Sequence, residues 1–126
     1  MTELSPATRQ QSTPSLSVER PIDLVHLARM TLGERSLERE VLQLFDRQAA
    51  IMMGRMQAAP VAVAAALAHT LKGSARAIGA ARVARAAELV ELADTADAAD
   101  VARALAVLGT ATEEARTFIA DLLRAN

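Results

Sequence analysis

Residues 97–122 read DAADVARALAVLGTATEEARTFIADL, and this stretch decides the fold. Its core-forming positions, Val101, Leu105, Leu108, Thr112, Ala115, Ile119 and Leu122, follow one another in alternating steps of four and three. One face of an α-helix recurs at that spacing, whereas a strand would alternate every second residue. The same alternation is the seam along which antiparallel helices pack at a shallow crossing angle of about 20°. Asp97 stands just ahead of the run, where a short carboxylate caps free amides.

Toward the N terminus the helical period recurs three more times. Residues 80–94 make a fourth helix, buried through Val83, Ala86, Ala87, Val90 and Ala93. A third starts at Pro60 and ends at Gly79, with Ala64, Leu67, Ala68, Leu71, Ala75 and Ile78 inward. The second takes Ser36 as its N-cap and Leu37, Val41, Leu44, Phe45, Gln48, Ile51, Met52 and Met56 as its core face. Pro21 suits the first turn of a short lead helix through Ile22, Val25 and Leu27 to Met30, which Gly33 closes. The expected fold is all-α: an up-down antiparallel four-helix bundle with a short N-terminal lead helix, over residues 21–126. Residues 1–20, MTELSPATRQQSTPSLSVER, hold too few large apolar groups to offset ordering and are expected to form a disordered leader.

Composition agrees and excludes. Of 126 residues, 52% are apolar but only 2% aromatic, so the chain leans on alanine, the best helix former, and not on the residues sheets use. A net charge of −1 offers no basic field for nucleic acid or an anionic membrane. With no Cys there are no disulfides, thiolate metal sites or thiol nucleophiles. His26 and His69 stand far apart without clustered carboxylates, which argues against a metal site. The run from Ala58 to Ala68 is too short to span a bilayer. A soluble cytoplasmic protein is expected.

The third helix departs from generic patterning. At about 100° per residue, His69, Lys72, Gly73 and Arg76 share one face, opposite Leu67, Leu71, Ala75 and Ile78. His69 should therefore be exposed on a rigid helix, with a cation one turn away. An exposed helical His or Lys is ordinarily just solvated surface. Gly73 is harder to dismiss, because glycine inside a helix costs roughly 0.5–1 kcal/mol relative to alanine. Lys72 is also the sole lysine beside 13 arginines. Phosphoryl transfer through histidine uses this set: a neutral imidazole is nucleophilic near neutral pH, a compact ammonium offsets phosphoryl charge, and a missing side chain lets a partner's active site close over the ring. His26 is expected to serve only packing or surface on the lead helix.

The run HTLKGSARAIG, His69 to Gly79, resembles the H-x-x-K-G-x(5)-G signature of histidine-containing phosphotransfer (HPt) domains. Residues 24–45 resemble that family's lead helix, glycine turn and second helix, and Val90-Glu91 sits near its usual Leu-Glu; the likeness spans about residues 21–125. It implies a four-helix bundle without kinase activity of its own. His69 would exchange a phosphoryl group with aspartates of response-regulator receiver domains, or of a hybrid histidine kinase. Lys72 carries over as the charge partner and Gly73 as the clearance residue, and Arg76 joins the docking face by position alone. The chain would need no cofactor, because the receiver supplies Mg²⁺, and would act as a monomeric, stand-alone shuttle. The Gln or Asn found near the phosphorylated His in some members has no counterpart here, which leaves open how the second ring nitrogen is held. Two other readings use the same bundle: an unphosphorylated adaptor that docks and inhibits receivers or kinases, and the histidine-bearing substrate domain of a chemotaxis-type kinase. The adaptor would not need the imidazole.

Overall fold

In the computed structural model, which describes residues 20–125, Asp23 and not Pro21 opens the lead helix α1 (Leu24–Met30). Its carboxylate accepts from the amides of Val25 and His26 at 3.1 Å each, a cap that proline cannot provide. The leader expected over residues 1–20 lies outside the described residues except for Arg20. At the other end of α1, Gly33 donates to Ala28 and Leu32 to Arg29, the paired bonds of a Schellman turn. Gly33 stands one place beyond the expected position, and Leu32 takes the left-handed residue at φ 56°.

The second helix, α2 (Arg35–Ala58), starts after Glu34, so Ser36 is inside it and caps nothing. Its buried residues are Leu42, Phe45, Ala49, Met52, Met53 and Met56. Phe45, Met52 and Met56 were expected there; Leu37, Leu44 and Ile51 are exposed instead. Both sets obey the helical period, and the face carrying Ala49 admits the neighbouring helices more closely. The row through Leu44 consequently turns outward.

Three further helices follow: α3 (Val61–Ile78) with Pro60 at its N-cap, α4 (Ala81–Leu92) and α5 (Ala98–Ala125). Asp97 caps α5 as expected, accepting from the amides of Ala99 at 3.0 Å and Asp100 at 3.3 Å. Short connections make successive helices antiparallel. α3 packs between α2 and α4, and α5 closes the ring against the same two helices. Among the described residues the chain is helical throughout its regular structure, an all-α bundle as expected.

Alanine sets the helix spacing. Ala49, Ala68, Ala75, Ala87 and Ala115 are fully buried beside Leu71 and Leu108, and side chains this small let helix axes approach closely. The turn between α3 and α4 is two residues long. Gly79 adopts φ 84°, and a Cβ there would meet Asp23 and His26 at 3.1–3.2 Å. The Gly79 carbonyl accepts from the Asp23 amide at 2.9 Å, and the His26 ring Nε2 bonds to the Ala77 carbonyl at 2.9 Å. These contacts hold α1 across the end of α3. The consequence is a rigid third helix, buried along one side and open along the other.

Candidate functional site

The open side of α3 is smooth. Ala62, Ala66, Thr70, Gly73 and Ala77 are all exposed there, and none carries a side chain larger than threonine. His69 rises from this strip with its side chain 71% exposed. The turn at Gly79–Ala80 fixes what lies beside it. His69 is eleven residues before Ala80 and Glu91 eleven after, so antiparallel α3 and α4 bring the two side chains level.

Glu91 organises the site. Its Oε2 is 2.6 Å from His69 Nδ1, and its Oε1 is 2.6 Å from Lys72 Nζ. The Lys72 ammonium holds the Glu91 carboxyl below the usual carboxylate range; partial burial opposes this and the bond to His69 adds to it. An ionised carboxylate only accepts hydrogen bonds. Nδ1 therefore carries a hydrogen toward Glu91, and in the neutral ring the lone pair is left on Nε2. The ring is fixed in direction and in tautomer by one acidic side chain on the neighbouring helix.

Lys72 is not where the wheel placed it. It leaves the open face and lies in the α3–α4 groove, its side chain only 14% exposed. Glu91 explains the shift, because a flexible lysine stem packs along apolar surface while its head reaches a carboxylate. Gly73 is exposed, and a Cβ built there would meet nothing within 4 Å. The fold itself does not require this glycine. Arg76 is exposed on the same side, 4.0 Å from Glu88 of α4. His69, Gly73 and Arg76 thus share one surface, with Lys72 beneath its edge.

Glu91 was the residue missed as a functional candidate. No wheel of a single helix shows it, but counting outward from the Gly79 turn would have found it. His26, by contrast, has its Nε2 occupied by the Ala77 carbonyl. Among the described residues no group of three or more His, Asp or Glu could hold a metal ion, and no helix is long and apolar enough to cross a membrane.

A family model described as the Hpt domain matches residues 35–124, which covers α2 to α4, all but the last residue of α5, and His69, Lys72, Gly73, Arg76 and Glu91. No curated protein matches the chain, and no solved structure does.

Proposed function

The chain belongs to the Hpt domain family, and on that basis we propose that it is a phosphorelay intermediate, moving a phosphoryl group between receiver-domain aspartates through His69. The observation that supports this most is the Glu91 bond to Nδ1, which leaves an exposed Nε2 lone pair on a rigid helix.

The transfer needs little from this chain beyond position and charge. The Nε2 lone pair attacks phosphorus in line with the aspartyl oxygen. The N–P bond forms as the P–O bond breaks, and the electron pair of that bond leaves with the aspartate carboxylate. Nδ1 keeps its hydrogen throughout, so the phosphorylated ring is a cation facing the Glu91 carboxylate. Glu91 is a positioning residue that also stabilises this developing charge, as a buried carboxylate does behind other reacting imidazoles. In the reverse step the cationic ring departs as neutral imidazole, which keeps the phosphoryl group transferable.

Lys72 has two parts here. Its ammonium keeps Glu91 ionised, and it brings positive charge within one helical turn of the phosphoryl oxygens. The small side chains of the α3 strip admit the rim of a receiver's active site, Gly73 giving the clearance and Arg76 a cation at its edge. The receiver supplies Mg²⁺ and the remaining catalytic groups. The chain needs no kinase activity or cofactor of its own and works in the cytoplasm, with its partners.

The test is transfer from phosphorylated receiver domains to the wild type and to His69→Gln. Base-stable, acid-labile label is expected on the wild type alone. Equal labelling of both removes His69 from the reaction. Binding and inhibition of receivers by both, with no label on either, would favour the adaptor reading.

A further inference from the structure

The bundle leaves unused one apolar row on α2. Leu37, Leu44 and Ile51 recur every seventh residue and are 39%, 60% and 57% exposed. At about 100° per residue the row lies more than a quarter-turn from the buried face centred on Ala49. The flank of α2 that meets α5 is elsewhere, marked by the Asp46–Arg116 pair and by the bond from Arg39 to the Leu123 carbonyl. Single exposed leucines are common on protein surfaces, but a heptad row along one helix is the pattern of a helix-packing seam.

We propose that this row binds a second copy of the same chain, α2 against α2, antiparallel about a two-fold axis at Leu44. Such an axis sets Leu44 against its own copy and Leu37 against Ile51, closing an apolar row on itself. The charges beside the row obey the same symmetry. Glu40 and Arg47 are exposed on one flank of it, and the axis brings each Glu40 within one residue of the level of Arg47 in the other copy. Gly54 fits as well: it is exposed in the last turns of α2, and a Cβ there would meet nothing within 4 Å. Packing within the chain does not require it. Across the axis it comes level with Glu34, where the turn between α1 and α2 of the second copy must pass.

The row lies on the α3 side of α2, beside the strip of small α3 residues assigned above to the receiver, so pairing competes with receiver docking even though the His69 ring itself leans toward Glu91 of α4. Three apolar residues per copy bury less than the roughly 800 Å² per partner of a standard stable interface. The dimer is accordingly weak and reversible, with a Kd on the order of 10–100 μM. This departs from the monomer that the family resemblance implies.

Sedimentation of the full chain from about 1 μM to 1 mM, a range set to bracket that Kd, tests the pairing. A concentration-dependent dimer is expected, and Leu44→Glu should raise its Kd at least about tenfold, since it sets two carboxylates against each other. Glu40→Arg should weaken pairing, and adding Arg47→Glu should restore it. The chain has no Cys, so single cysteines report geometry cleanly. Leu44→Cys should oxidise to a covalent dimer. Leu37→Cys and Ile51→Cys should cross-link when mixed and far more slowly alone. A chain monomeric throughout the range overturns the proposal, as does Leu44→Cys cross-linking no faster than Val107→Cys on α5. Row substitutions that leave a monomer unchanged but weaken receiver binding overturn it too, and assign the row to the receiver.

Discussion

Replacing Glu91 by Gln separates the charge behind His69 from the shape that holds it. The wild-type carboxylate is 2.6 Å from Nδ1 and its side chain is 19% exposed. A unit charge about 4 Å from the ring centre interacts by about 1 kcal/mol in water and about 4 kcal/mol at the dielectric typical of a protein surface. Only part of the ring's positive charge has developed when phosphorus is half transferred, so about 1.5–2.5 kcal/mol of that is lost in the variant. At 1.36 kcal/mol per factor of ten, transfer should slow by roughly 10- to 70-fold. A glutamine can also present its NH₂ to Nδ1, which moves the ring hydrogen to Nε2 and removes the nucleophile from part of the population. The assay is single-turnover transfer from a phosphorylated receiver, with circular dichroism to confirm the helices. Imidazole ¹⁵N shifts would report the tautomer, which a purely structural role would not move. A folded Glu91→Gln chain transferring at the wild-type rate, with its tautomer unchanged, would refute the reasoning.

Four other outcomes follow from the same geometry. Gly73→Ala should raise stability by about 0.5–1 kcal/mol in thermal unfolding, since a helix-interior glycine in open space is replaced by the best helix former, while Gly73→Leu should weaken receiver binding at unchanged helicity. Glu91 has a folded-state pKa below its ordinary 4.5; the stability it adds is therefore complete above that pH and lost as the pH falls through the depressed value. Denaturation of wild type and Glu91→Gln should accordingly differ above the carboxylate range and converge in acid. The Thr112 hydroxyl is buried without a hydrogen-bond partner, so Thr112→Val should stabilise the bundle by about 1 kcal/mol in urea titration. Leu32 holds φ 56° while 90% exposed, and Leu32→Gly should raise stability by about 1 kcal/mol by relieving the left-handed backbone.

What was legible in the sequence, and what was not, has a physical pattern. The inward faces of α4 and α5 could be read because alanine and leucine are interspersed there with arginine and glutamate, and that of α3 because Leu67, Leu71 and Ile78 fall on one side of an otherwise small-residue helix. On α2 two apolar rows satisfy the same period. Nothing local distinguishes Leu44 from Leu42, and only the presence of α3 and α5 decides which turns inward. The exposure of His69, Gly73 and Arg76 could be read because the large apolar residues of α3's second half, Leu67, Leu71 and Ile78, lie on its opposite side. Lys72 was placed one step too far outward, and the role of Glu91 was missed, for a common reason. Both depend on register between α3 and α4, which the two-residue turn at Gly79–Ala80 sets and no single-helix wheel contains. The caps show the same limit on a smaller scale. Asp97 caps α5 as its position suggests, whereas Asp23 and not Pro21 opens α1, and Glu34 rather than Ser36 stands at the N-cap of α2.

In the proposed relay His69 carries the phosphoryl group on Nε2 while Glu91 holds Nδ1. The most direct measurement is NMR of the ¹⁵N-histidine-labelled chain after transfer from a phosphorylated receiver. Phosphorus–nitrogen coupling at Nε2 of His69, with a retained Nδ1 hydrogen and no change at His26, is the predicted result. Coupling at Nδ1, phosphate on His26, or no phosphohistidine after exposure to a panel of phosphorylated receivers would contradict it.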